Sequence, residues 1–312
     1  MIEVVVISGK GGTGKTTVVA SLAALARNAV LADCDVDAPD LHLLLKPEVL
    51  ENIPYEGSEK AEIDPRRCTG CGACVSACRF DAVEKTSKGF RSDPLSCEGC
   101  GACAFVCPAG AIQLKRHLSG WIHVSRSRYG PFVYGELRPG EEASGKLVTQ
   151  VKMRAREIGR RESADLLLVD GAPGIGCPVI ASLSGAHVAL VVTEPSRSAL
   201  HDLERVVAVA RHFQANVYLA INKVDLAPDL TESVEAYARQ KGIPVLGWIP
   251  YDEAVVKAMV SGAPVVSWSS GAAADALQLL WKRLSARLTP PSAGRDTGDT
   301  PQGPVLEGRE DR

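Results

Sequence analysis

At 312 residues, 46% of them hydrophobic and 23% charged, the chain is long enough to bury a full α/β core and to carry one further small module. A net charge of −2 and the lack of any apolar run as long as a bilayer is thick exclude a general affinity for nucleic acid or acidic membranes, and a membrane span. Met1 runs straight into a strand-like segment with no signal-peptide pattern, so a soluble cytoplasmic protein is expected, and ten cysteines in that setting point to metal ligation rather than disulfides.

The apolar run from Ile2 to Ile7 predicts a buried strand, and Val18 to Ala26 has the character of a helix. Between them stands Ser8-Gly9-Lys10-Gly11-Gly12-Thr13-Gly14-Lys15-Thr16-Thr17. Strand, glycine-rich loop and helix are the context that makes G-x-x-x-x-G-K-[ST] a phosphate site. Glycines let backbone N–H groups close around phosphate oxygens at a helix N-terminus that already favours anions. Lys15 is expected to reach the β- and γ-phosphates and the Thr16 hydroxyl to bind Mg²⁺.

Ala29 to Ala32 predicts a second buried strand, ending in Asp33-Cys34-Asp35-Val36-Asp37. Open α/β sheets place their ligands at the C-terminal ends of strands, so these acids are candidates for the nucleotide's metal, against the alternative of a polar turn. Cys34 suits a small buried hydrophobe. Asp40 to Lys60, with Pro47, Pro54 and Gly57, is expected to be an irregular connector.

The chemistry then changes. Cys68-x₂-Cys71-x₂-Cys74-x₃-Cys78 recurs 29 residues later as Cys97-x₂-Cys100-x₂-Cys103-x₃-Cys107-Pro108. This is the internal repeat of bacterial two-cluster ferredoxins. Three thiolates at i, i+3 and i+6 wrap one corner of a cubane, and the fourth cysteine ligates the other cluster. One [4Fe–4S] cluster is therefore assigned to Cys68, Cys71, Cys74 and Cys107, and the other to Cys78, Cys97, Cys100 and Cys103. Zinc is the rival metal, since C-x₂-C pairs also suit tetrahedral sites. Arg79 follows Cys78 where the pattern, as at Pro108, carries proline.

From Trp121 to Tyr134 a β-hairpin is expected, Lys146 is read as an exposed loop lysine, and Val151 to Arg161 as a basic helix. Leu166 to Val169 is a continuous apolar run ending in Asp170-Gly171-Ala172-Pro173-Gly174. That is a strand buried on both faces whose terminal acid, Asp170, would hold Mg²⁺ through water, with Gly174 permitting a mobile loop. Ala186 to Val192 predicts another strand, with Glu194-Pro195-Ser196 capping a helix over Arg197 to His212. Asn216 to Ile221 and Val245 to Pro250 predict two more strands, Pro250-Tyr251-Asp252 is a candidate border of the base, and Ala272 to Leu288 a closing helix. The tail at 289–312 is expected to be disordered. The six histidines fall into no metal or triad spacing.

Lys10, a second lysine within the loop, makes K-G-G-T-G-K-T resemble the deviant Walker-A ATPases: the ParA, MinD and Mrp proteins and the nitrogenase iron protein. With the cysteine repeat, the chain resembles MinD-type ATPases that contain an inserted ferredoxin domain. The resemblance implies a mostly parallel, doubly wound P-loop sheet from 1–60 and 116–288, with an α+β two-cluster module at 61–115. It implies that Lys10 acts in trans on a partner's ATP, with Lys10, Lys15 and Asp35 catalytic. Gly9, Lys10, Gly11, Gly12, Thr13, Gly14, Lys15, Thr16, Thr17 and Asn222 would bind ATP; Thr16, Asp35 and Asp170 would bind magnesium. Asp35 would orient the attacking water and Asn222 would contact adenine. Asn222-Lys223-Val224-Asp225 also matches the N-K-x-D pattern that reads guanine in GTPases; the deviant loop favours ATP. The nitrogenase iron protein carries a cluster-ligating cysteine shortly after its Walker B acid, which makes Cys177 a speculative ligand at a dimer axis, against a buried cysteine at a helix start.

Three functions follow from the resemblance. The first is an ATP-gated electron-transfer protein acting as a homodimer, or as a heterodimer with a related ATPase, toward a redox acceptor protein. The second is an iron–sulfur cluster carrier of the Mrp kind with an iron–sulfur acceptor. The third is a MinD- or ParA-like spatial switch with a redox-sensing insert. No basic stripe suggests nucleic acid, and no amphipathic basic helix suggests stable membrane insertion.

Overall fold

In the computed structural model, residues 1–141 and 145–288 are described; the predicted tail at 289–312 and Glu142 to Ser144 lie outside the described residues. The chain begins with β1 (Ile2–Ser8), α1 (Lys15–Leu25), β2 (Ala29–Asp33), a one-turn α2 (Leu41–Leu45) and the long β3 (Glu48–Ile63). Next come α3 (Ala73–Ala77), β4 (Val83–Thr86), β5 (Gly89–Ser92) and α4 (Ala102–Phe105), before the equally long β6 (Ile112–Ser127) and β7 (Gly130–Leu137). Then α5 (Gly145–Arg161), β8 (Leu166–Pro173), α6 (Cys177–Leu183), β9 (Val188–Thr193), α7 (Ala199–His212) and β10 (Asn216–Asn222) alternate. The described chain closes with α8 (Pro228–Gln240), β11 (Val245–Ile249), α9 (Glu253–Val260), α10 (Val265–Trp268) and α11 (Ala272–Ser285).

Among the described residues, nine strands form one sheet in the order β11-β10-β9-β1-β8-β2-β7-β6-β3. It is parallel from β11 to β7, and β6 and β3 add on antiparallel. Alternation along β1 sorts the core into two layers: Val5 and Ile7 pack with residues of α5 to α8, while Val4 and Val6 pack with α1, α2, α9, α10 and α11. Buried on both faces, the central strands must be apolar throughout, which is why β1, β8 and β9 lack polar alternation. The fold is thus an α/β P-loop sheet covered by helices on both sides. Among the described residues no helix is long and apolar enough to cross a membrane.

The segment expected to be an irregular connector is instead α2 and most of β3. β3 pairs with β6 from Glu48↔Arg126 to Ile63↔Ile112, a ribbon on the order of 50 Å long at about 3.4 Å per residue. β3 is the outermost strand, so it tolerates Pro54, and its register shifts at Tyr55–Ser58 absorb Gly57. Edge position, not alternation, makes it a strand. The expected divisions near 60 and 115 fall inside this ribbon.

Residues 64–111 lie between the two ribbon strands and repeat their backbone contacts at the 29-residue offset. Asp64 N–H donates to Ala111 O, and Asp93 N–H to Ala82 O, both at 2.8 Å. Gly72 and Gly101, each before a short helix, share a φ of 79°. Cys74, Ala82, Val83, Cys97 and Cys103 of this segment form a small core with Ala61 of β3 and Ile112 of β6.

Other local expectations shift by smaller amounts. Ser198, not Ser196, stands at the start of α7, and it makes no side-chain cap. Lys146 is exposed but sits in the first turn of α5, not in a loop. The sequence patterns predict no element at α8, α9 or α10; α8 buries only Val234 and Ala238, α9 only Ala258 and α10 only Val265.

Candidate functional site

Sheet order brings the candidate residues to one edge. β1 lies between β8 and β9, and β2 lies beside β8 with Asp33 opposite Asp170, so the loops after β1, β2, β8, β9 and β10 share the C-terminal side. The loop after β1 ends at Gly14, whose φ of 87° is the left-handed conformation that glycine adopts without strain. A Cβ there would also lie 2.3 Å from Asn222 Nδ2. Asn222 in turn donates to Thr13 O at 2.8 Å, so β10 braces the loop directly.

An open cavity runs from the loop past Asp35 and Asp37 to Pro250, Tyr251 and Met259. Gly11, Gly12, Thr13, Gly14, Lys15, Thr16, Thr17, Asp35 and Asn222 line it. Gly9, Lys10 and Asp170 do not. Gly9 packs under α7, where a Cβ would come within 2.6 Å of Asp202 O.

Lys15 is the electrostatic centre. Its Nζ lies 2.5 Å from Asp170 Oδ1 and 3.4 Å from Asp35 Oδ2. Burial by itself would lower its pKa, but the carboxylates of Asp170, Asp35 and Asp33 raise it above the ordinary lysine value. Asp33 is fully buried and accepts from Asp35 N at 3.0 Å and Leu41 N at 3.1 Å, which shapes the loop after β2. Burial and the neighbouring Asp170 push its pKa well above the usual carboxylate range. Burial also raises Asp35, against the pull of Lys15. Asp170 Oδ2 and Thr13 Oγ1 are buried with no hydrogen-bond partner. An unpaired buried carboxylate oxygen close to Asp35 fits a hydrated cation.

Lys10 has a different environment. Its Nζ lies 2.9 Å from Glu194 Oε1 and donates to Ser196 Oγ at 2.9 Å. Lys223 Nζ meets the other Glu194 oxygen at 2.8 Å and donates to Gly12 O at 3.2 Å. Burial would raise Glu194, yet hydrogen bonds from Lys223 and Lys10 hold it below the usual carboxylate range. The sequence pattern marks Glu194 only as part of a helix cap. Its place directly after β9, at the ligand edge of the sheet, was the signal that could have found it. Asp225 Oδ1 accepts from Tyr251 N at 2.7 Å, so one oxygen of the N-K-x-D acid is already engaged by backbone.

The cysteines fall into two separate cavities. Cys68, Cys71, Cys74 and Cys107 line one, with Ile63 and Phe90. Cys78, Cys97, Cys100 and Cys103 line the other, with Ala61 and Ser92. Backbone N–H groups point at sulfur in both: Ala111 N to Cys107 Sγ at 3.3 Å, and Ala82 N to Cys78 Sγ and Ala61 N to Cys97 Sγ, each at 3.4 Å. Among the described residues no three His, Cys, Asp or Glu side chains are gathered closely enough to hold a single metal ion. Cys34 is buried in the main core, and burial raises its thiol pKa. Cys177 is exposed, not buried, at the first residue of α6, beside Gly145 of α5.

Residues 4–265 match the family model described as the CobQ/CobB/MinD/ParA nucleotide binding domain. An uncharacterized protein of Methanocaldococcus jannaschii is 35% identical over 228 residues, spanning 72% of this chain and 78% of its own. The septum site-determining protein MinD of Bacillus subtilis is 24% identical over 92% of this chain and 90% of its own. Among solved structures, MinD of Pyrococcus horikoshii complexed with Mg-ADP superposes with a TM-score of 0.54 at 18% identity, over 91% of this chain and 95% of that one. At that identity the likeness concerns the fold.

Proposed function

The chain belongs to the CobQ/CobB/MinD/ParA family and is a P-loop ATPase; on that premise we propose that it works as a nucleotide-gated dimer carrying two [4Fe–4S] clusters and couples ATP hydrolysis to electron transfer through them. The observation that carries the reading is the crossing of the cysteine quartets: each cavity takes three cysteines from one repeat and the fourth from the other. A zinc pair would need no such exchange. The N–H groups aimed at Cys78, Cys97 and Cys107 suit thiolate ligands. Residues 61–115 are accordingly proposed as an inserted ferredoxin module, carried on the β3–β6 ribbon by an ATPase domain of residues 1–60 and 116–288.

At the nucleotide site the roles divide by position. The loop from Gly9 to Thr17 would cradle the phosphates of ATP, with Lys15 at the β- and γ-phosphates. Thr16, Asp35 and Asp170 would hold Mg²⁺, which acts as a Lewis acid toward the phosphates. Asp35, open to the cavity, would orient the attacking water. Lys10 does not line its own cavity, a position suited to a partner's nucleotide. Asn222 joins the loop to the Pro250–Tyr251 wall where a base would rest. Phosphate oxygens at the loop would compete with Asp170 and Asp35 for the Lys15 ammonium, which ties nucleotide occupancy to the strand that leads into Gly174. The clusters, when bound, would supply one-electron chemistry; the chain holds them and sets their surroundings.

The test is anaerobic purification with iron and acid-labile sulfide analysis, then cluster spectroscopy with and without MgATP. About eight irons per chain and a nucleotide-dependent spectrum or potential are expected. A reconstituted protein without iron sinks the cluster reading, and an unchanged spectrum sinks the coupling. Transfer of labelled iron–sulfur to an apo-protein would instead favour a carrier. A second reading, a MinD-like spatial switch whose cysteine module is a sensor or staple, is favoured by the similarity to MinD along nearly the whole chain. ATP-dependent relocalisation without any change in cluster potential would favour that switch.

A further inference from the structure

The 29-residue repeat gives almost every residue at one cysteine cavity a counterpart at the other, and the pairs that differ in chemistry are informative. Ser92 stands five residues before Cys97, and Ile63 five before Cys68. Ser92 lines the second cavity and Ile63 the first. Ser92 is only 9% exposed, and its Oγ has no nitrogen or oxygen partner, facing the Cys97 sulfur instead. A buried hydroxyl without an acceptor is unfavourable, so a polar donor at this place needs something in the cavity to receive its proton.

One neighbouring pair differs in the same direction. Lys60 Nζ donates to Cys97 O at 2.8 Å, whereas its counterpart at the first cavity is Gly89, which brings no charge. Backbone N–H groups reach sulfurs at both cavities, and at the first the Thr69 hydroxyl faces Cys71, but Thr69 and Cys71 are exposed, so water competes there as it does not at buried Ser92. Glu98, the counterpart of Thr69, opposes Lys60, but it is exposed and screened by water, and Lys60 is half-buried. Adding an electron to an iron–sulfur cluster adds negative charge. Donors and cations beside its sulfurs therefore stabilise the reduced form more than the oxidised one and raise the potential.

Resting on the cluster reading above, we propose that the cluster held by Cys78, Cys97, Cys100 and Cys103 has the higher midpoint potential of the two, and that the Ser92 hydroxyl sets much of the difference by donating to a sulfur of that cluster. An electron from any one-electron donor then settles on this cluster, which makes the first quartet the relay and the second the store.

The test is an anaerobic, mediator-assisted dithionite titration of the full chain, followed by electron paramagnetic resonance. Wild type is expected to show two separate one-electron waves. Ser92→Ala lowers the higher potential and narrows the gap, Ser92→Thr preserves the gap, and Ile63→Ser narrows it by raising the lower potential. Two coincident waves in a wild type with full iron content overturn the proposal while leaving the cluster reading intact. So does a Ser92→Ala protein of full iron content with both potentials unmoved or with a wider gap. A reconstituted wild type without iron or labile sulfide removes the cluster reading, and this proposal with it.

Discussion

Lys15 Nζ lies 2.5 Å from Asp170 Oδ1, although the two residues are 155 positions apart in the chain. Asp170 is fully buried and Lys15 nearly so, so the pair joins the phosphate loop to the strand that leads into Gly174. Neither charge has water to fall back on.

Lys15→Ala therefore removes a phosphate ligand and also leaves buried carboxylates without their cation. ATP hydrolysis is expected to be lost, and stability to fall by about 3–5 kcal/mol, the usual cost of stripping one partner from a buried pair. Urea unfolding at pH 7 measures it. The double variant Lys15→Ala/Asp170→Asn should recover part of the loss, because the orphaned charge is gone. A single variant as stable as wild type would contradict the electrostatic role given to the pair.

Glu194 holds two lysines, Lys10 and Lys223, and its pKa lies below the usual glutamate value because of them. A carboxyl whose folded pKa is depressed adds stability above its unfolded value near 4.5, and that stability is lost as pH falls through the folded value. Glu194→Gln should flatten this acid limb and cost no more than about 1 kcal/mol at pH 7, since all three groups are partly exposed. Unfolding midpoints measured from pH 7 down to pH 3 in both proteins check the sign.

Gly14 and Asn222 touch closely enough that each should report on the other. Gly14→Ala places a Cβ 2.3 Å from Asn222 Nδ2 on a backbone with φ of 87°, so nucleotide binding should be lost. Asn222→Ala removes the bond to Thr13 O and should weaken ATP binding by about fivefold, the equivalent of about 1 kcal/mol. Adding Asn222→Ala to Gly14→Ala relieves the clash but not the backbone strain, so binding should recover only in part. Calorimetric titration with a non-hydrolysable ATP analogue distinguishes these outcomes.

The crossed quartets predict which cysteines act together. Cys107→Ala should give the same spectroscopic loss as Cys68→Ala, and Cys78→Ala the same as Cys97→Ala, each leaving roughly four of about eight irons. Pairing by sequence neighbourhood would instead group Cys78 with Cys68. Iron content and resonance spectra of the four single variants decide between them.

Some of this molecule was legible before any coordinates. The strand–loop–helix around Lys15, the apolar strand ending in Asp170 and the cysteine spacing are local patterns, and local spacing constrains geometry within a few residues. Ser92 and Ile63 were in view as well, but their difference had no meaning until each lined a cavity. β3 was misread because an edge strand can carry proline, glycine and mostly exposed side chains, so neither alternation nor apolarity marks it.

The order of residues dictates which chemical groups are present: a phosphate loop with two lysines, acids at the ends of apolar strands, and eight thiols in a duplicated spacing. Which of them meet is set by how the strands assemble. Placing β1 between β8 and β9 brings Lys15 to Asp170 and Lys10 to Glu194, and the paired β3 and β6 bring the two ends of the cysteine segment together. Those choices rest on strand order and register. They are set by burial of both faces of the sheet across the whole chain, and no local window of sequence contains them.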